Sequence, residues 1–192
     1  MAEFDPLAGP PDATAPGLSV DEVARLLGAT ARMVEAELVG LGEDLAGWRP
    51  GPDEWCANEV VGHLVEADAR GYAGRIRRIL AAAPGVEPAE PGWDEPSVAA
   101  ARGDCAKSAA TLVDELAASR RDAIELVLGL RPEDMARAAI HATVGRVTVG
   151  QLIEEWCVHD RVHLRQLFKS AQARAWPVMG NTRRFLRGDA AD

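Results

Sequence analysis

Apolar side chains recur every three or four positions in four stretches of this chain, and each stretch predicts an amphipathic helix. The last is the sharpest. Its stripe runs through Val149, Leu152, Ile153, Trp156, Leu164 and Leu167, and Thr148 followed by Gln151 has capping-box spacing, which predicts a helix from Thr148 to about Lys169. The first helix is predicted to start at Ser19, with Glu22 completing a capping box and Leu18 placed to staple onto Val23. Its stripe continues through Leu26, Leu27, Thr30, Met33, Val34, Glu37 or Leu38, and Leu41, and it should end near Gly40 or Gly42. The second helix begins around Cys56 or Ala57, with Glu59 in its first turn, and runs to about Ala82. Its inward stripe reads Val60, His63 or Leu64, Ala67, Gly71 and Gly74 or Arg75. The third is predicted over roughly Val98 to Leu128, with Leu112, Leu116, Ala123, Ile124 and Val127 inward, Glu and Arg on the exposed faces, and Gly103 fraying the start.

The segments between these stripes set the topology. Residues 1–17 carry four prolines and two glycines without periodicity and read as a flexible arm; residues 18–170 hold the helices, and residues 171–192 read as a tail. Between helices one and two lies a Pro/Gly-rich connection bearing Trp48 and Trp55, which read as plugs for one end of a bundle. Four prolines between Ala83 and Pro96 rule out a continuing helix there, and residues 129–147 form a second long connection, with Ile140 to Val147 as a small extended or hairpin-like excursion around Gly145. The expected fold is all-α, a four-helix bundle with long connections between helices 2 and 3 and between helices 3 and 4. The first of these is long enough for helices 2 and 3 to run parallel.

Composition narrows the function classes. A chain of 192 residues with 47% apolar and 27% charged side chains suits one globular domain. A net charge of −9 offers no broad basic field, so no nucleic acid is expected as a partner. No apolar run approaches the roughly 20 residues that span a bilayer, and the N-terminus lacks the basic and apolar regions of a secretion signal. The three cysteines, with no C-x-x-C, read as reduced thiols of a cytoplasmic protein. Arginine outnumbers lysine 19 to 2 in an alanine-rich chain, which fits a GC-rich genome. No Walker motif, dinucleotide-binding glycine fingerprint or G-x-S-x-G is present.

What remains is histidine. The chain has four, and three of them, His63, His159 and His163, fall on core-facing stripes. His159 and His163 are four apart, so both imidazoles leave one helix face. Each taken singly reads equally as a hydrogen-bonded core histidine. Together, three neutral imidazoles on facing helices with one open position suit a divalent transition metal such as zinc or nickel, and burying all three without a ligand is costly. The open position would take water or a thiolate. Four further residues are candidates for the surroundings: Glu66, three after His63, as a support for a ligand or as general base; Arg70, two turns beyond His63 on nearly the same face, as an anchor for a substrate carboxylate; His141, from the loop before the last helix; and Asp160, turned about 100° from His159 and read as a surface residue or a support for a ligand. Arg70 reads more readily as a solvated helix arginine, and Cys157 as core.

Two motifs carry a resemblance: Trp55-Cys56-x-x-Glu59-x-x-x-His63-Leu64 entering the second helix, and His159-Asp160-x-x-His163-Leu164-x-Gln166 in the last, with His141, Gly145 and Val147-Thr148 on the approach to it. In this order and spacing, over roughly residues 19–170, the chain resembles the DinB/YfiT-like family of four-helix-bundle metalloenzymes. The resemblance implies an up-down-down-up bundle and a three-histidine metal site at His63, His159 and His163. Cys56 departs from the pattern, since the family usually has Ser or Thr as that helix cap. The resemblance also implies a metal-dependent enzyme acting on a small-molecule substrate, either a thiol-dependent S-transferase or isomerase using a low-molecular-weight thiol such as mycothiol, or a hydrolase. It further implies pairing into a homodimer. A non-catalytic metal-binding bundle, acting in stress or as a dimerisation module, is the alternative.

Overall fold

The computed structural model describes residues 16–187, so most of the arm (residues 1–15) and the end of the tail (188–192) lie outside the described residues. Helix α1, Val20–Ala46, opens on the Ser19/Glu22 capping box. It does not stop at Gly42. It kinks there, where the glycine adopts φ 66°, and continues to Ala46 under a Gly47 cap. Before it, Leu18 packs on the core cluster that contains Val23, and its backbone N–H donates to Glu154 at 2.6 Å, so the chain is anchored directly after the predicted arm.

The second predicted helix forms in three pieces: α2, Ala57–Glu66; a π-helical segment, Ala67–Tyr72; and α3, Ala73–Ala81. Cys56 caps it through sulfur, accepting from the Glu59 N–H at 3.4 Å, while Glu59 accepts from the Cys56 N–H at 3.0 Å. That thiol is not free. Cys56 is disulfide-bonded to Cys105, which corrects the expectation of reduced thiols; Cys157 alone is free, and it is buried. Cys56 and Cys105 are 49 residues apart, so only the fold brings them together.

The third predicted helix is also interrupted. Strand β1, Ala89–Glu90, precedes α4, Glu95–Arg102, which ends at Gly103 in the left-handed region (φ 62°). A 3₁₀ turn, Asp104–Ala106, follows, and α5, Ala109–Leu128, restarts on a Ser108 cap. The excursion around Gly145 is a hairpin of β2, Ala138–His141, and β3, Gly145–Thr148. β1 joins β2 in parallel to complete a small sheet over one end of the bundle. Helix α6, Val149–Ala175, begins at the predicted Thr148/Gln151 box and outruns the predicted end near Lys169. The short helix α7, Arg183–Arg187, closes the described chain.

α1 packs on α5 and α6, and α2 packs on both as well, which makes the four-helix bundle. Every apolar residue of the predicted α6 stripe is buried, as are Leu112, Leu116, Ala123 and Val127 of α5. Polar side chains depart from the predicted pattern. Arg120, expected on an exposed face, is 2% accessible, and Asp160 is 1% accessible rather than on the surface. The two meet at 2.7 Å, and Arg120 Nε lies 3.1 Å from Asp68. A buried guanidinium between two buried carboxylates leaves no charge of the group alone in the core.

Candidate metal centre

The α2 and α6 faces deliver His63, His159 and His163 to one point, where one ring nitrogen from each lies within 4.8 Å of the others. The ring centroids are 4.3 Å apart for His63–His163 and His159–His163 and 5.1 Å for His63–His159, and the Nε2 atoms of His63 and His159 approach to 3.0 Å. His163 Nδ1 is 2.9 Å from the Gln166 side-chain oxygen. An oxygen accepts only, so Nδ1 carries the proton and the Nε2 lone pair is left for the cluster. His159 Nδ1 is buried and has no hydrogen-bond partner among the described residues. At most one proton is then shared between the Nε2 atoms of His63 and His159, and lone pairs converge on the space between the rings.

A proton is a poor occupant for that space. Burial holds His63 down at about 4, helped by the neighbouring His163, and holds His159 down at about 3, helped by His163, His63 and Arg120. Burial lowers His163 as well, partly offset by its hydrogen bond to Gln166. All three are neutral imidazoles at pH 7, the protonation state and donor set that a borderline-soft divalent cation takes.

Aromatic side chains wall the cluster. Trp55 lies 5.0 Å from His63 and stacks on His163 at 6.3 Å, so it covers the imidazoles while also packing on the core cluster that holds Val60 and Leu164. Trp93, from the proline-rich connection, stacks on His63 at 5.9 Å, and the Tyr72 ring meets His159 edge-on at 5.3 Å. Behind Tyr72, Trp156 stacks at 4.9 Å and donates to Asp68 at 2.9 Å, which ties the cluster to the Arg120 charge group. Burial raises Asp68 to about 6 against the pull of Arg120.

A cavity of about 310 Å³ opens beside His159, walled by Tyr72, Arg75, Trp93, Glu95, His141 and Glu155 among others. Glu66 and Arg70 do not line it. The Glu66 carboxylate accepts from Arg70 at 2.5 Å and from Arg102 at 2.9 Å; burial would raise its pKa, but these hydrogen bonds outweigh burial and hold it below the usual range. It is a weak proton acceptor, committed elsewhere.

The reason is helical phase. At about 100° per residue, an uninterrupted helix would place Arg70 about 20° from His63 and Arg75 about 120° away. The π segment, with Ala73 N–H donating to Asp68 five residues back, inserts roughly one residue into the turn. Arg75 then swings to about 20° from the His63 face, and Arg70 leaves for the surface, 57% exposed. Gly74 is what permits this, since an added Cβ would overlap the Ala69 carbonyl oxygen. The glycines were visible in the sequence, and Arg75 stood on the stripe as an alternative to Gly74. Trp93 and Tyr72 carried no such signal.

The fold is that of a four-helix bundle with three neutral imidazoles gathered between two of its helices, a group that could hold a metal ion. The model of the DinB superfamily matches residues 25–167, and the chain belongs to that family. A solved structure, YfiT from Bacillus subtilis, described as a probable metal-dependent hydrolase with an unusual four-helix bundle topology, superposes with a TM-score of 0.73 over 88% of this chain and 94% of that chain, at 14% identity. At that identity the likeness concerns the fold. No curated protein matches the chain.

Proposed function

We propose that His63, His159 and His163 hold one divalent transition metal, zinc or nickel, and that the protein is a metal-dependent enzyme acting on a small molecule in the adjoining cavity. The carrying observation is the convergence of three neutral imidazoles, one of them fixed by Gln166 in the tautomer that turns its Nε2 lone pair inward. When bound, such an ion supplies a Lewis acid that acidifies water or keeps a thiol deprotonated. Hydrolysis and S-transfer from a low-molecular-weight thiol such as mycothiol are the two chemistries this supports.

The chain's own residues do the rest. Trp55, Trp93 and Tyr72 keep bulk water from three sides of the imidazoles. Glu95 and Glu155 are the carboxylates placed to accept a proton from a molecule in the cavity. Glu66 takes a positioning role, holding Arg102 against the Asp104 turn next to the disulfide.

Elemental analysis of tag-free protein tests the site. About one metal per chain is expected in wild type, falling to trace in His63→Ala; no metal in wild type after supply of zinc and nickel overturns the proposal. Given metal, turnover of thiol-linked electrophiles only with added thiol selects S-transfer, and turnover without it selects hydrolysis. Metal without either activity leaves the non-catalytic bundle.

A further inference from the structure

The cavity beside His159 holds a second polar arrangement, separate from the three-imidazole cluster. Arg75, half-buried on α3, forms no ion pair with any carboxylate among the described residues; its one polar contact is His141 Nε2, at 3.2 Å. His141 closes β2, and its Nδ1 accepts the Thr143 backbone N–H at 3.2 Å across the hairpin turn. A neutral imidazole accepts at one nitrogen only, so the contacts at Nδ1 and Nε2 cannot both be hydrogen bonds. With Nδ1 accepting, the proton sits on Nε2 and the Arg75–His141 contact is a guanidinium N–H facing an imidazole N–H. Neither can accept from the other. Two donors from different elements are held together at the wall of a cavity with no acceptor between them.

From this juxtaposition we propose that Arg75 and His141 form an oxyanion subsite that takes the carboxylate of the substrate. A planar carboxylate offers one oxygen to each donor and removes the mismatch. Charge in the same cavity selects a singly charged group: Glu95 and Glu155 line it as well, and they oppose a dianionic phosphate more than a monoanionic carboxylate. Trp93 and Tyr72 give the body of the molecule an aromatic wall between the subsite and His159. The substrate class is then a carboxylic acid of modest size, its carboxylate on Arg75 and His141 and its reactive group toward the imidazoles. The orientation rests on the metal reading above; the subsite does not.

Benzoate, its uncharged isostere benzamide and inorganic phosphate are the probes, titrated calorimetrically into the whole protein. Benzoate is expected to bind at least about 10-fold more tightly than benzamide and than phosphate. Arg75→Gln and His141→Phe should each abolish the benzoate preference, and Arg75→Lys, which keeps the charge but not the fork, should retain part of it. His63→Ala should keep the preference, so a failed metal site and a failed subsite give different results. Circular dichroism melts confirm that each variant is folded. Equal binding of benzoate and benzamide, a benzoate preference that survives Arg75→Gln, or tighter binding of phosphate overturns the proposal.

Discussion

At the scale of single residues, buried polar groups set the energetics. Removing Arg120 leaves Asp68 and Asp160 facing each other in the core, so Arg120→Ala is expected to destabilise by about 3–5 kcal/mol, checked by urea unfolding, whereas a surface change such as Arg121→Ala should cost little. The imidazoles give a pH dependence whose sign follows from linkage. Their folded pKa values lie below the ordinary 6.5, so under mildly acid conditions the unfolded chain binds protons that the folded chain refuses. Stability of metal-free protein should fall as pH drops below 6.5, the loss completing near about 4 for His63 and about 3 for His159. Asp68 acts oppositely. Raised from 3.8 to about 6, it gains the folded state stability between those values as pH falls. Three imidazoles outweigh one carboxyl, and melting temperatures from neutral pH downward should show a net decline that His163→Gln makes shallower.

At the scale of elements, the second helix carries two devices that a plain heptad would lack. Its π segment turns Arg75 toward the cavity and depends on Gly74; Gly74→Ala is expected to lower the melting temperature and to weaken benzoate binding, while Gly71→Ala, where an added Cβ meets nothing, should be tolerated. Its N-terminus is tied by Cys56 to the 3₁₀ turn between α4 and α5. Closing a loop of that length contributes about 2–4 kcal/mol, so Cys105→Ala or a reductant should produce a clear drop in stability. Cys56→Ala should cost about 1 kcal/mol more than Cys56→Ser, because serine still caps Glu59 N–H. Calorimetric melts of the three variants separate the bond from the cap.

At the scale of the whole molecule, the site joins elements that are remote in sequence: α2, α6, the connection bearing Trp93 and the hairpin bearing His141 all meet at the imidazoles and the cavity beside them. A ligand that binds only this assembled state must stabilise it. Zinc or nickel at 100 times its dissociation constant should raise the unfolding free energy by about 2.7 kcal/mol, read as a rise in melting temperature that His63→Ala removes. Among the described residues no helix is long and apolar enough to cross a membrane.

Local pattern determined the four helical stretches, though not the breaks inside the second and third, together with both capping boxes and the alignment of His63, His159 and His163 with the core, because helix phase and end chemistry are local properties of a sequence. The hairpin around Gly145 was legible for the same reason. Tertiary structure alone decided the rest. The Cys56–Cys105 bond joins residues 49 positions apart and leaves no periodic trace. Arg120 and Asp160 do share the spacing of their helices' apolar stripes, four after Leu116 and four after Trp156, but their pairing with each other and with Asp68 exists only in the fold. The exchange of Arg70 for Arg75 at the cavity turned on one extra residue in one helical turn. Such an insertion rotates everything after it by about 100°, and a reading that assumes 3.6 residues per turn throughout cannot place it.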